Sequence, residues 1–100
     1  MPDFWIYILH CENGSLYTGY TIDLIKRFAK HKNKQAAKYT KAFPPLYVAQ
    51  AWPIYGNKAQ AMKIECFIKK LSKELKNKII LDGTLLVNLW LESRHQDKTL

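Results

Sequence analysis

The first cluster of apolar positions runs from Phe4 to Cys11 (Phe-Trp-Ile-Tyr-Ile-Leu-His-Cys). It is too short, and too rich in aromatic and β-branched residues, to favour helix, so it is predicted to be a strand. Asn13-Gly14 follows, a pair that tolerates positive φ and signals a hairpin turn, and Leu16 to Tyr20 forms the return arm. Leu24, Ile25, Phe28 and Ala29 then recur at helical spacing as far as about Lys32. Thr21 is the expected N-cap, with Asp23 in the first turn where a carboxylate suits the helix dipole. From Asn33 to Pro45 the chain is basic and polar and ends at Pro44-Pro45. This reads as a loop of about a dozen residues, long enough in a small domain to suggest a role in function.

Leu46 to Ile54 is a third predicted strand, whose Pro53 cannot donate to a ladder and belongs at the strand's end or on an edge. Asn57 with Gln60 resembles a capping box opening a helix to about Leu71, with Ala61, Ile64, Ile68 and Leu71 as its apolar stripe. Ser72 caps a shorter helix to about Leu81, closed by Asp82-Gly83. The stretch Leu85 to Leu91 is apolar enough to pack back on the core, and the tail over residues 92–100 is expected to fray. The order β-β-α-β-α-α predicts an α+β layer built on a small sheet.

Length and composition narrow the class. One hundred residues support a single domain over residues 1–100, with its core at about 4–82. Hydrophobic residues at 48% are too many for a disordered basic tail. No apolar run reaches the roughly 18 residues of a membrane span, and the first residues carry no secretory pattern. A compact cytoplasmic domain is expected. Cys11 and Cys66 form neither a disulfide framework nor a zinc-type pair and are expected to be buried thiols.

Charge changes the picture more. Sixteen Lys and Arg against eight Asp and Glu give a net charge of +8. Leu24 through Ile64 contains no carboxylate, yet holds Lys26, Arg27, Lys30, Lys32, Lys34, Lys38, Lys41, Lys58 and Lys63. Phe28, Tyr39, Phe43, Tyr47, Trp52 and Tyr55 are interleaved with them. Cations neutralise phosphates and aromatic faces stack on bases, so a nucleic-acid partner is the leading expectation.

The common catalytic patterns are missing. There is no Gly-rich phosphate loop after a strand, no His or Cys cluster for a transition metal, and no acidic pair suited to two metal ions. Single residues on adjacent elements stand out instead. Alternation puts Tyr7 on the face of Trp5 and Leu9, and Tyr17 on the face of Gly19. Arg27 and His31 are four apart and share a helix face. Glu65 is the one carboxylate between Asp23 and Glu74. It stands among Lys63, Lys69 and Lys70, so a plain i,i+4 pair with Lys69 competes with any functional role.

Trp5-Ile6-Tyr7, Tyr17-Thr18-Gly19, Arg27-x-x-x-His31 and a helical Glu65 together resemble the GIY-YIG nuclease family, in particular its small stand-alone bacterial members. Their pattern Leu-Tyr-Thr-Gly-x-Thr-x-Asp matches Leu16 to Asp23. The resemblance implies a three-stranded antiparallel sheet flanked by helices and metal-dependent endonuclease hydrolysis of phosphodiesters, with DNA ahead of RNA as substrate and repair or recombination as a setting. By that resemblance Tyr7 and Tyr17 position or deprotonate the attacking water, Arg27 stabilises phosphoryl charge, and His31 hydrogen-bonds within the site. Glu65 would hold one Mg²⁺ or Mn²⁺, and a single carboxylate leaves most positions of such an ion open to water and phosphate oxygens. Lys26, Lys30, Lys34, Lys38 and Lys41 would grip the nucleic-acid backbone.

Two departures accompany the match: Trp5 replaces the first glycine of the name motif, and Tyr20 stands where a lysine is common. Asn77 falls at the spacing of an asparagine found in many members and is a further candidate site residue. A tyrosine of ordinary pKa, about 10, is a poor base, so either neighbouring cations or the metal lower it or His31 relays the proton. The alternative is a non-catalytic nucleic-acid-binding module on the same scaffold.

Overall fold

The computed structural model describes residues 1–98, and the side chains of residues 1–94. Three strands, β1 (Phe4–Cys11), β2 (Leu16–Thr21) and β3 (Pro45–Ile54), form one antiparallel sheet in the order β2-β1-β3. The helices are α1 (Leu24–Lys32), α2 (Lys38–Ala42), α3 (Lys58–Lys69), α4 (Lys73–Leu81) and α5 (Thr84–Lys98). The α+β class and the three-stranded antiparallel sheet flanked by helices are therefore as expected.

The most apolar strand of the sequence occupies the centre and is covered on both faces. Ile6 and Ile8 point into one core with Trp52, Ala61, Ile68, Ile79 and Leu86, which brings in α3, α4 and α5. Tyr7, Leu9 and Cys11 point the other way, against Tyr17, Leu24, Phe28, Val48 and Ala51, which brings in α1. All five of Ile6, Tyr7, Ile8, Leu9 and Cys11 are essentially inaccessible. Each fully buried Ile or Leu contributes about 1.5–3 kcal/mol. Pro53 lies near the end of an edge strand, where its missing N–H costs no ladder bond between strands. Trp52 donates its indole N–H to Gly83 O at 2.9 Å and Gln50 donates to Ile80 O at 3.1 Å, which ties β3 to the α4–α5 corner.

Several local expectations are corrected. The N-cap of α1 is Asp23, whose carboxylate accepts from Lys26 N at 3.0 Å, while the Thr21 hydroxyl accepts from Asp23 N one step earlier. A carboxylate in the cap position satisfies an orphan amide and meets the dipole at once. The stretch 33–45 is not all loop, because Lys38–Ala42 makes the short helix α2. The hairpin turn closes with Gly14 N donating to Cys11 O, and of the Asn13-Gly14 pair Gly14 takes positive φ, at 82°, and Asn13 does not. Cys66 is exposed on α3 rather than buried, since the apolar stripe of that helix runs through Ala61, Ile64 and Ile68 on another side. Helix α5 runs to Lys98, with Leu85, Leu86 and Leu89 against the core and Trp90 edge-on to Phe67 at 5.3 Å. Residues 99–100 of the expected tail lie outside the described residues. The capping box of Asn57 with Gln60 and the Ser72 cap of α4 form as the sequence predicts.

Candidate active site

The site is built around the middle of β1. Tyr7 pairs across the ladder with Gly19, so the phenol ring lies over a residue that has no side chain. A Cβ at Gly19 would meet the Tyr7 hydroxyl and Cζ at 2.5 and 2.6 Å, closer than real side chains approach. Tyr17, on the same face two positions along β2, sets its ring edge-on to His31 at 5.2 Å. The Tyr-x-Gly spacing thus lets one tyrosine lie across the strand while the other stands beside it.

Helix α1 supplies the second layer. His31 is fully buried, and its Nε2 lies 2.8 Å from the Tyr7 hydroxyl. Its Nδ1 lies 2.7 Å from Thr40 Oγ1, also fully buried. The Thr40 hydroxyl donates its single proton to Ala37 O at 3.2 Å, so its oxygen accepts from His31 Nδ1–H. That fixes the tautomer: Nε2 is bare and accepts the Tyr7 proton. A directed chain follows, from Tyr7 O–H to His31, and from His31 to Thr40 to the backbone. Thr40 belongs to the short helix that the sequence hides inside a basic loop, and no pattern around Lys38-Tyr39-Thr40-Lys41 marks it as a buried polar partner.

Burial pushes the Tyr7 phenol up to about 12, with Tyr17 and Glu65 adding to the rise and Arg27 opposing it. Burial likewise pulls His31 down to about 4, and the Arg27 charge adds to that shift. Both groups are therefore neutral near pH 7, with the proton on the tyrosine. Arg27, one turn before His31 on α1, is half-buried, and its Nε is a buried donor without a protein acceptor. A guanidinium that lines an open hollow beside a neutral tyrosine is a place where an anionic oxygen fits.

Helix α3 packs on β1 and β2 from the opposite face, and its Glu65 lies near enough to Tyr7 for the carboxylate to resist ionisation of the phenol. Glu65 is largely shielded, and its Oε1 lies 3.4 Å from Lys69 Nζ, so the i,i+4 pair weighed on the sequence does form. Among the described residues no group of three or more His, Cys, Asp or Glu side chains converges on one point. Glu65 is the carboxylate whose charge acts on Tyr7, and both nitrogens of His31 are already committed. One hard oxygen donor of this kind fits a Mg²⁺-type ion that keeps water and substrate oxygens as its other ligands, and does not fit zinc.

Two open hollows flank these groups. One, of about 260 Å³, is lined by Asp23, Lys26, Arg27 and Lys30, which places two of the expected backbone-gripping lysines next to the arginine. The other, of about 290 Å³, is lined by Tyr17, Tyr39, Lys69 and Lys76. Tyr39 stacks on Tyr17 with ring centroids 6.1 Å apart, and its hydroxyl bonds Ser15 of the hairpin, so α2 and the hairpin brace the second tyrosine. Lys34, Lys38 and Lys41 are exposed along the α1–α2 segment without joining either hollow. Asn77 is exposed on α4, where its neighbour Lys76 is the residue that reaches the Tyr17 hollow. Lys69, Lys76, Tyr39 and Thr40 are the site neighbours that the sequence reading does not select.

Comparison with known proteins agrees with this geometry. A profile described as the GIY-YIG catalytic domain matches residues 3–79. A UPF0213 protein of Staphylococcus saprophyticus is 43% identical over 83 residues, covering 83% of this chain and 100% of its own length. One from Staphylococcus epidermidis is 40% identical over the same shares. The solution NMR structure of a UPF0213 protein from Bacillus halodurans is similar with a TM-score of 0.50 and 38% identity, over 80% of this chain and 85% of that one. With the tyrosine pair, the Arg-x-x-x-His helix and the shielded glutamate gathered about one strand, the chain belongs to the GIY-YIG family of nuclease domains.

Proposed function

We propose that the protein is a divalent-metal-dependent endonuclease that hydrolyses phosphodiester bonds, with DNA as the substrate. The observation that carries this reading is the Tyr7–His31 hydrogen bond of 2.8 Å, buried beside the unpaired Arg27 Nε and within electrostatic reach of Glu65. A purely structural tyrosine–histidine pair needs neither of those charges.

In this mechanism Arg27 Nε–H and the rest of the guanidinium receive a phosphate oxygen and hold charge that builds on the phosphoryl group. Tyr7, protonated at rest, acts as a relay rather than as a phenolate base. Its oxygen takes a proton from the attacking water while its own proton passes to His31 Nε2. His31 Nδ1–H stays on Thr40, which keeps the imidazole in the accepting orientation. Tyr17, braced by Tyr39, borders the hollow in which Lys69 and Lys76 meet the strand. Glu65 would hold one Mg²⁺ or Mn²⁺, which when bound supplies Lewis-acid stabilisation of the leaving oxygen. Lys26 and Lys30 beside Arg27, and Lys34, Lys38 and Lys41 along the neighbouring segment, grip the backbone of the strand.

The test is cleavage of end-labelled single-stranded, duplex and branched DNA with Mg²⁺ or Mn²⁺, comparing wild type with Glu65→Gln and Arg27→Ala. Metal-dependent cutting that both substitutions abolish, with folding intact, supports the proposal. One observation favours a second reading, a binding module without catalysis: Glu65 is paired with Lys69. Salt-sensitive binding without cutting, unchanged in Glu65→Gln, would select that module instead.

A further inference from the structure

On the far side of α3 from Glu65, two adjoining hollows of about 490 and 550 Å³ run between α3 and α5. They share Lys63, Trp90 and Arg94. Tyr55 borders the first, and Lys70 and Cys66 the second. Among the described residues no carboxylate lines either hollow, although Glu65 stands on the same helix. The Arg94 guanidinium lies 5.4 Å over the Trp90 ring, which itself meets Phe67 edge-on, so a planar cation is spread on an aromatic wall. Tyr55, which lines the first hollow with them, is 71% exposed. None of these groups is used by the site on the sheet.

We infer that this α3–α5 groove binds single-stranded nucleic acid as a second contact, separate from the cleavage site. Lys63, Lys70 and Arg94 match phosphates, and Tyr55 with the Arg94-covered Trp90 offers flat surfaces on which unpaired bases stack. A duplex keeps its bases paired and has no face to offer such surfaces, which decides for a single strand. Along the exposed side of α3 the cations continue between the two regions: Lys69 lines the Tyr17 hollow, and Lys70, the next residue, lines the groove. At about 100° per residue, Lys63 lies about 160° round the helix from Glu65, an arc of roughly 15 Å on a helix of this diameter. That distance is the length of a few nucleotides, so one strand can occupy both regions. The link to cleavage rests on the proposed function; binding in the groove does not.

The experiment measures affinity for a labelled single-stranded oligodeoxythymidine and for a duplex of equal length, over a salt series without divalent ions so that nothing is cut. Wild type is compared with Lys63→Gln/Lys70→Gln, with Tyr55→Ala, and with Lys32→Gln/Lys78→Gln as a variant of equal net charge outside both hollows. All five positions are exposed on the surface, so each variant keeps the fold. The groove double variant should lower the salt slope for the single strand by about 1.4, two phosphate contacts at about 0.7 each. Tyr55→Ala should weaken the single strand about tenfold, the loss expected of one stacked base, and leave the duplex unchanged. The control pair should leave the single-strand slope near wild type. Wild-type affinity retained in both groove variants would overturn the inference, as would equal losses on single strand and duplex. If the groove variants bind poorly while wild type cuts nothing, the groove stands and the nuclease reading falls. If wild type holds neither nucleic acid, both fall.

Discussion

The Tyr7–His31–Thr40 chain makes a demanding prediction about stability, because its three side chains are buried and each ring nitrogen of His31 has a single partner. Tyr7→Phe removes a single hydroxyl and leaves His31 Nε2 as a buried acceptor with nothing to accept. An orphaned buried polar group costs about 1–3 kcal/mol. For a domain this small that corresponds to a fall in Tm of about 4–8 °C per kcal/mol. Thr40→Val strands the His31 Nδ1–H instead. Moving the proton to Nε2 does not rescue this variant, since the Tyr7 O–H then loses its acceptor, so the cost falls in the same range. Thr40→Ser keeps the hydroxyl and should lose far less. Urea unfolding of the four proteins gives the free energies, with m unchanged if only the native contacts are lost. Imidazole ¹⁵N shifts of wild type should place the His31 proton on Nδ1. A proton found on Nε2, or Tyr7→Phe and Thr40→Val both within about 0.5 kcal/mol of wild type, the range of ordinary surface changes, would refute the chain as drawn.

Three further outcomes follow from the same geometry. Gly19→Ala forces the Tyr7 ring aside and should cost about 1–3 kcal/mol by overpacking, whereas Gly14→Ala, with open space around it, should cost only the strain of a left-handed residue, about 1–2 kcal/mol, and leave cleavage intact. Because the folded-state pKa of His31 is held near 4, below its unfolded value of 6.5, its stabilisation is complete above pH 6.5 and lost as pH falls towards 4. That shift is worth about 3 kcal/mol, so chemical denaturation at pH 7 and pH 4.5 should show an acid loss that His31→Leu lacks. Glu65→Gln removes one ion pair of the i,i+4 kind and should change stability by no more than about 0.5 kcal/mol while removing metal-dependent cleavage, a split read by thermal melting beside the nuclease assay.

What could be read from the sequence was whatever depends on local periodicity. The strands at Phe4 and Leu16, the Asn57–Gln60 box and the Ser72 cap each rest on residues within four positions of one another, and each forms. Tyr7, Tyr17, Arg27, His31 and Glu65 were also legible, though only as a pattern whose convergence comes from pairing Tyr7 with Gly19 and laying α1 across that face. Thr40 was not, because the side chain it meets, His31, lies nine positions back, and its own stretch is dominated by lysines. The continuation of α5 past Glu92 was equally hidden, since its polar residues give no periodic stripe and its anchor, Trp90 on Phe67, is tertiary. The exposure of Cys66 came from the same source: residue type favours burial, but helix phase put the thiol on the solvent side.

The two shifted pKa values also constrain how the proposed chemistry is switched on. In the free protein the Arg27 charge acts on both groups, and it is the second cause, after burial, of the low proton affinity of His31. A phosphodiester docked on the guanidinium brings a negative charge to that same position and cancels this contribution. His31 then becomes a stronger base only when substrate is bound, while Tyr7 remains protonated and able to relay. Arg27→Gln separates the two effects. Without the positive charge, the His31 pKa of the free protein should rise from about 4, measurable by NMR titration, even though phosphate binding is lost. A His31 pKa unchanged in Arg27→Gln would mean that burial alone depresses it, and that substrate charge has no lever on the base.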